Sequence, residues 1–400
     1  MTSSNWFTTP LKSLGEFKNG VNFGKDKKRR GELGLINVKD IFTEIPVIDF
    51  ETLDNVDLAH ERGIEKYYVR AGDLFFVRSS VKRNGVGLVS MSSRDNSQAI
   101  HCGFVIRFRP HSQIVNSRFL AYLLRSPLYR QKIIGMSGGS AIINISQETL
   151  GNLTVNLPSF PVQRKIADML SAYDDLIENN MRRIRVLEAM AQSVYHEWFG
   201  KADEKSLPEG WDIRPFSELV EIDPAISVDK QIEKTFVGMN ALSMNSMVID
   251  LDLVEIRTGN SGAKFQNRDV LFPRITPSVE NGKAGFVQFL NDGQVSIGST
   301  EIIVFREKEL NPEFIYFLSR EHEFRGNAIN SMIGASGRQR VQQGCFDTFL
   351  VAKPPKELLQ KFADIVSPMF KMVHTLTIKN TNLRRTRDLL LPRLLWGTYP

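Results

Sequence analysis

The sequence predicts an α+β protein built from two tandem copies of one plan, in which an α/β unit is followed by a long helix. Two observations predict this class. Apolar residues recur every seven positions over 162–199, without an internal proline or glycine. The same pattern returns 196 positions later, near the end of the chain. Stripes of this period are typical of helices that pack as a coiled coil, and we expect the two helices to pack antiparallel.

The residues of the two stripes form the predicted helix seams. The first helix contributes Ile166, Leu170, Tyr173, Ile177, Asn180, Ile184, Leu187 and Val194. The second contributes Phe362, Met369, Leu376, Leu383 and Leu390. A single Asn on an apolar seam commonly fixes the register of the helices. Pro368 lacks a backbone N–H, so we expect a break or kink in the second helix near this residue.

The 196-residue offset extends beyond the helices. It aligns Gly72-Asp73 with Arg268-Asp269, and a glycine-serine loop at 136–140 with 332–336. A polar connector at 201–210 separates the copies. The predicted domains are an N-terminal α/β domain at 1–160, a helix at 161–200, a second α/β domain at 201–355 and a helix at 356–400.

Bulk properties limit the function classes. The net charge is +6 and the pI is about 9.2, a basic excess that favours an acidic partner. The two cysteines, Cys102 and Cys345, lie in different copies, which argues against a disulfide framework and suits a reducing compartment. No signal-type segment or membrane-spanning run is present. We therefore expect a cytoplasmic protein without a membrane partner.

A basic cluster is the first candidate for contact with nucleic acid. Its members are Lys25, Lys27, Lys28, Arg29 and Arg30. Clustered Lys and Arg displace counterions from phosphates, which favours a phosphate-contacting loop. A solvated surface loop is the alternative, and the cluster alone does not decide between them.

Polar residues after a predicted strand form the second candidate. In the first copy they are Arg78, Ser79, Ser80, Lys82, Arg83 and Asn84. In the second copy the candidates are Arg274, Thr276, Ser278, Lys283, Arg338 and Arg340. Arg and Asn side chains suit base edges, and Ser suits phosphate. An ordinary hairpin loop is the alternative. A repeated framework with different loop residues suits the recognition of two sequences, although neutral drift gives the same pattern.

The sequence offers no catalytic constellation. Its histidines and cysteines lack metal-ligand spacing, and no phosphate-binding glycine loop is present. The closest approach to an adenine-methyltransferase motif, Asn311-Pro312-Glu313-Phe314, lacks the second proline. We expect no catalytic, cofactor-binding or metal-binding residue in this chain.

Particular runs resemble one family. They are LPSFPVQRKIAD at 157–168, DDLIENN at 174–180, LEAMAQS at 187–193, NLRR at 382–385 and DLLLPRLL at 388–395. These strongly resemble the specificity subunits of type I restriction–modification enzymes, and the likeness covers the full length. The α/β domains would then be target-recognition domains that each bind half of a split, asymmetric DNA site.

The resemblance further implies partners for the chain. Two modification subunits, which bind S-adenosylmethionine and methylate adenine, would assemble on the helices and domains. Restriction subunits that use ATP and Mg²⁺ would join them. The subunit itself would have no catalytic activity, and its two helices would act as a spacer of about 45 Å between domains.

Two other classes remain open on the residues alone. One is a self-contained DNA methyltransferase or nuclease with fused recognition domains, which methylation or cleavage by the purified chain would reveal. The other is a coiled-coil scaffold that never contacts DNA. Strong, salt-sensitive retention on heparin would disfavour the scaffold.

Overall fold

The computed structural model describes residues 6–139, 141–200, 207–335 and 337–396. The chain divides into two compact units. Unit 1 contains Met1–Leu176 and Leu383–Pro400, and unit 2 contains Ile177–Asn382. Each long helix contributes one segment to each unit.

Unit 1 begins with a mixed α/β region. Its strands are β1 (Phe7–Pro10), β2 (Gly15–Asn19), β3 (Lys28–Ile36), β4 (Asp54–Val56), β5 (Leu74–Val77), β6 (Ser79–Ser80), β7 (Val89–Met91), β8 (Ala99–His101), β9 (Val105–Pro110), β10 (Ile143–Asn144) and β11 (Thr154–Leu157). Its short helices are α1 (Ser117–Arg125), α2 (Pro127–Met136) and α3 (Gln147–Gly151). The first long helix, α4 (Phe160–Phe199), follows β11.

Unit 2 has a similar order of elements. Its strands are β12 (Asp212–Pro215), β13 (Val220–Ile222), β14 (Lys234–Val237), β15 (Glu255–Arg257), β16 (Ala263–Phe265), β17 (Val270–Pro273), β18 (Gly285–Phe286), β19 (Ser296–Gly298), β20 (Ile302–Glu307) and β21 (Leu350–Lys353). Its helices are α5 (Phe216–Leu219), α6 (Pro312–Leu318), α7 (His322–Asn330), α8 (Cys345–Thr348) and the second long helix α9 (Lys356–Trp396). Short 3-10 turns occur at Leu11–Ser13, Lys25–Lys27, Val38–Ile41, Phe50–Thr52, Ile64–Tyr67, Arg83–Gly85, Met239–Ala241 and Leu251–Leu253.

The main four-stranded sheets of the two units have matching topologies. Unit 1 has a four-stranded sheet in the order β2-β9-β5-β7, and unit 2 has one in the order β13-β20-β17-β18. The first and last strands of each α/β region pair antiparallel, β1 with β11 and β12 with β21. Each unit also contains one parallel pair, β3 with β8 and β14 with β19. The predicted tandem duplication of an α/β fold is therefore confirmed.

A buried ion pair recurs at the same place in both sheets. Asp73 accepts hydrogen bonds from the Arg109 Nε and Nη2 atoms, each at 2.7 Å. In unit 2, Asp269 accepts from the Arg306 Nε and Nη2 atoms at 2.8 and 2.5 Å. Both carboxylates are buried. Burial raises the pKa of the Asp269 carboxyl, and the paired guanidinium opposes this shift.

The preceding turn is left-handed in both copies, at Gly72 with φ +83° and at Arg268 with φ +76°. Glycine adopts this conformation freely, whereas a residue with a Cβ does so at a cost in conformational energy. The shared backbone geometry therefore persists where the residue type does not.

Segments of α4 and α9 pack antiparallel in each unit. In unit 2, the Asn180 Nδ2 atom donates to the Asn380 Oδ1 atom at 2.8 Å, while the Phe199 and Phe362 rings lie 5.0 Å apart. In unit 1, the Arg387 Nη1 atom donates to the Asp174 Oδ1 atom at 2.5 Å. The predicted antiparallel coiled-coil pairing is confirmed, and the polar residue on the first seam has a polar partner.

Burial of the predicted seam residues is graded. The fully covered side chains are Ile166, Leu170, Ile177, Asn180, Phe362 and Leu376. The half-buried ones are Tyr173, Ile184, Leu187, Val194, Met369, Leu383 and Leu390. The covered part of the seam therefore packs within this chain.

The expected break at Pro368 is wrong, because α9 is one helix from Lys356 to Trp396. Pro368 and Asp364 both lie on an exposed face of this helix. The carbonyl of Asp364, which loses its usual N–H donor, can therefore be hydrated instead of being left unpaired in a core. The buried residues Phe362, Val366 and Phe370 on the opposite face hold the helix to the rest of unit 2.

Among the described residues, no helix combines the length and apolarity that a bilayer crossing requires. The same part of the chain contains no group of three or more His, Cys, Asp and Glu residues arranged to hold a metal ion. Cys102 and Cys345 are both free and buried.

Candidate nucleic-acid interface

In unit 1, three segments meet where β5 ends. The backbone N–H of Arg78 donates to the carbonyl of Phe104 at 2.9 Å, and that of Ile145 donates to the carbonyl of Arg78 at 3.0 Å. Gly138 and Asn144 exchange backbone hydrogen bonds of 3.1 and 2.7 Å. Together these segments form the first corner, which consists of residues 78–84, 103–104, 138–139 and 141–145.

Unit 2 contains the same arrangement, and each of these backbone hydrogen bonds has an equivalent there. Arg274 donates to the carbonyl of Glu301 at 2.9 Å, and Val341 donates to the carbonyl of Arg274 at 2.8 Å. Ile333 and Arg340 exchange hydrogen bonds of 3.1 and 3.0 Å. These segments form the second corner, which consists of residues 274–278, 301, 333–335 and 337–341.

The common backbone frame makes particular residues of the two corners equivalent. Arg78 corresponds to Arg274, and both are half-buried. Phe104 of the first corner takes the place of Glu301 in the second, and Asn144 takes the place of Arg340. One scaffold therefore presents different chemistry in the two units.

Some predicted contact residues of the first corner support its shape. The Arg78 Nη1 atom donates to the carbonyl of Gly103 at 3.2 Å. The Ser79 Oγ atom donates to the Asn144 Oδ1 atom at 2.5 Å, and the Ser80 Oγ atom accepts the backbone N–H of Lys82 at 3.1 Å. These bonds hold the strand end and the neighbouring loop together.

The tip of the first corner is exposed. Lys82, Arg83 and Asn84 all have exposed side chains, and Val81 beside them is 80% exposed. The corner thus presents two cations, an amide and apolar side chains to solvent. This composition suits a groove surface in which phosphates, base edges and thymine methyl groups lie close together.

The basic cluster lies on a turn and a strand instead of an open loop. Residues Lys25–Lys27 form a 3-10 turn, and β3 begins at Lys28 with an irregular register against β4. Lys27 forms a surface ion pair with Glu61, while Lys28 is exposed. The side chains of Lys25, Arg29 and Arg30 lie outside the described part of the structure. Phosphate contact by this cluster stays a prediction.

In unit 2, several predicted contact residues are buried or form hydrogen bonds within the chain. Thr276 and Ser278 are buried. The Thr276 Oγ1 atom accepts the backbone N–H of Gln339 at 3.2 Å, and the Lys283 Nζ atom donates to the carbonyl of Met239 at 2.7 Å. These side chains fix the loop in this structure, and direct DNA contact by them remains a prediction. Arg338 is exposed.

Arg340 and Glu301 form a bidentate ion pair at the second corner. The Arg340 Nε atom lies 2.9 Å from Glu301 Oε2, and its Nη2 atom lies 2.6 Å from Oε1. Hydrogen bonding from Arg340 lowers the pKa of the Glu301 carboxyl. The pair is therefore charged at neutral pH.

A groove of about 610 Å³ lies beside the second corner, lined by residues that include Lys264, Arg274 and Asp223. The Arg274 Nε atom is buried, and it has no hydrogen-bond partner among the described residues. Burial raises the pKa of Asp223, which the nearby Arg274 guanidinium partly offsets.

Glu301 and Phe104 are not among the site residues that the sequence predicts. Each stands immediately before a sheet strand, β20 or β9. An isolated Glu or Phe at such a place has no distinctive sequence signal. Pro273 of β17 lies opposite Ile302 of β20, and Val77 of β5 lies opposite Val105 of β9. This matching strand register shows that Glu301 and Phe104 are equivalent.

Comparisons with known proteins agree with the duplicated architecture. Residues 3–189 match the family model of the type I restriction modification DNA specificity domain. The MjaIX specificity subunit of Methanocaldococcus jannaschii is 23% identical over 304 residues, which cover 71% of this chain and 69% of the relative. The HindI specificity subunit of Haemophilus influenzae is 21% identical over 460 residues, covering 96% and 98% of the two chains.

A solved structure has the same fold. The S subunit of a type I restriction–modification system from M. genitalium superimposes with a TM-score of 0.61 at 14% identity, covering 100% of this chain and 98% of that one. The family model assigns a DNA specificity domain to residues 3–189, and the solved structure shares the fold of the chain. The relatives that the chain resembles over most of its length are named specificity subunits of type I restriction enzymes.

Proposed function

We propose that this chain binds a bipartite, asymmetric DNA site and directs adenine methylation or restriction by partner subunits. The first corner contacts one half-site and the second corner contacts the other. The observation that carries this proposal is the repeated backbone frame of the two corners, on which Asn144 and Arg340 occupy equivalent positions. Base edges differ in their pattern of donors and acceptors, so one frame with different side chains suits two different half-sites.

In this proposal the domains keep their predicted boundaries. Residues 1–160 and 201–355 are the two recognition domains, and 161–200 and 356–400 are the helical spacer that sets the gap between half-sites. The excess of basic residues supplies the part of the affinity that does not depend on sequence. Lys28, Lys82, Arg83 and Arg338 are exposed cations suited to this role.

The outer faces of the two long helices support assembly with other subunits. Exposed apolar residues on α4 include Met169, Leu176 and Met190, which are spaced by seven and fourteen positions. On α9, Ile365 and Met372 are seven apart and also exposed. Residues at this spacing share one helix face. We infer that modification subunits pack on these faces, that restriction subunits join the complex, and that S-adenosylmethionine, ATP and Mg²⁺ are used by those partners.

The test is a genome-wide map of adenine methylation in the host with and without this gene. We expect a split motif that is methylated in the parent strain and unmethylated in the deletion strain. Restoring the gene on a plasmid should restore the same motif, which controls for indirect effects. An identical methylation map in all three strains would contradict the proposed role.

A further inference from the structure

We propose that Arg340 recognises a guanine in the half-site of unit 2, and that Glu301 is the positioning residue that orients it. This inference rests on the proposed function and assigns a base to one side chain of the second corner. It is carried by the way in which the two edges of the Arg340 guanidinium are used.

A guanidinium group has two edges that donate hydrogen bonds in pairs. In Arg340, the edge formed by Nε and Nη2 faces Glu301, with bonds of 2.9 and 2.6 Å. The other edge, formed by Nη1 and the second hydrogen of Nη2, is not engaged by Glu301. That edge matches the O6 and N7 acceptors of guanine in the major groove.

The backbone on both sides of Arg340 is fixed. Arg340 exchanges hydrogen bonds with Ile333, and its neighbours Gln339 and Val341 bond to Thr276 and Arg274. The Arg340 side chain nevertheless remains 52% exposed, whereas that of Glu301 is only 20% exposed. The exposed group is therefore the donor, and the more covered group is the one that holds it.

Holding the side chain in advance matters for specificity. A free Arg loses rotamer entropy when it binds, and it can also turn towards a phosphate. Pairing with Glu301 limits both effects, because the carboxylate fixes the plane of the guanidinium and repels phosphate. Glu301 should thus lower affinity for arbitrary DNA while raising discrimination for guanine.

The first corner provides an internal comparison. Asn144 occupies the place of Arg340, and Phe104 occupies that of Glu301. Asn144 is held by Ser79 through its Oδ1 atom, so no acid–arginine pair exists at this point of unit 1. The guanine preference that depends on an acid–arginine pair is therefore assigned to unit 2.

The test uses the full-length chain co-purified with its modification subunits and a pool of random duplexes. The wild-type complex should enrich a split sequence with at least one guanine in the unit 2 half. Replacing that guanine by 7-deazaguanine removes the N7 acceptor, and we expect an affinity loss of about tenfold. The same replacement should have little effect on the Arg340→Ala complex.

Two conservative variants separate geometry from charge. Arg340→Lys keeps the charge but lacks the planar fork that pairs with Glu301 on one edge and guanine on the other, so it should discriminate guanine less while keeping its affinity for random DNA. Glu301→Gln keeps the shape but loses an acceptor, so it should bind random DNA at least as tightly and discriminate about tenfold less.

The outcomes distinguish this inference from the proposed function. If a split sequence is enriched but Arg340→Lys and 7-deazaguanine change nothing in either half, the guanine assignment is wrong and the specificity role stands. If the wild-type complex enriches no sequence at all, the proposed function fails and this inference fails with it.

Discussion

Replacing Phe362 by alanine is expected to lower the free energy of unfolding of unit 2 by about 3–5 kcal/mol. The Phe362 ring is fully buried. It lies 5.0 Å from Phe199 and 6.2 Å from Tyr195, measured between ring centroids. These aromatic residues join α9 to α4, so the substitution removes both apolar burial and the contacts between the two helices.

A matched control lies one turn away on the same helix. Ile365 is 40% exposed, and its replacement by alanine should cost about 1 kcal/mol or less, as expected for a surface site. Denaturant unfolding of the full chain, followed by circular dichroism, measures both variants. Equal losses for the two substitutions would contradict the assignment of Phe362 to the helix-pairing core.

Replacing Asp174 by alanine should destabilise unit 1 by about 3 kcal/mol, because Arg387 loses its buried partner and keeps only the exposed Asp388. Asp174 on α4 accepts a hydrogen bond from Arg387 on α9 at 2.5 Å and another from the hydroxyl of Tyr122 on α1. Its side chain is 5% exposed and that of Arg387 is 12% exposed. The carboxylate therefore links three helices in a poorly solvated place.

The adjacent residue provides the control for Asp174. Asp175 is 67% exposed and lies 4.0 Å from Arg118, so alanine at this position should cost well under about 1 kcal/mol. The double variant Asp174→Ala with Arg387→Met should recover part of the loss, because the guanidinium that lost its buried partner is then removed as well. Additive losses in the double variant would argue against a coupled pair. Thermal unfolding of the wild type, Asp174→Ala, Arg387→Met, the double variant and Asp175→Ala measures these losses.

The fold could be predicted from the sequence because its main sequence patterns are long and occur twice. A seven-residue period over five heptads, repeated at the offset from Ile166 to Phe362, predicts both helices and the duplication. The failure at Pro368 has a local cause. The proline rule assumes that the lost hydrogen bond is costly, but here the affected backbone faces solvent.

The candidate site was only partly predictable from the sequence. Polar residues after a buried strand were found, since loops at strand ends follow a simple pattern. Which of them are exposed was not predictable, because it depends on tertiary hydrogen bonds. Ser79 is tied to Asn144, and Thr276 is buried against the segment containing Gln339. Glu301 became visible only once the strand register placed it beside Arg340.

The central claim is that each corner reads its own half of a split DNA site. The most direct measurement is the methylated motif produced by complexes that carry substitutions in one corner at a time. Combined replacement of Lys82, Arg83 and Asn84 by alanine should relax or abolish recognition in one half only. Replacement of Arg338 and Arg340 should affect only the other half. Variants that change both halves together, or that leave both unchanged, would contradict the claim.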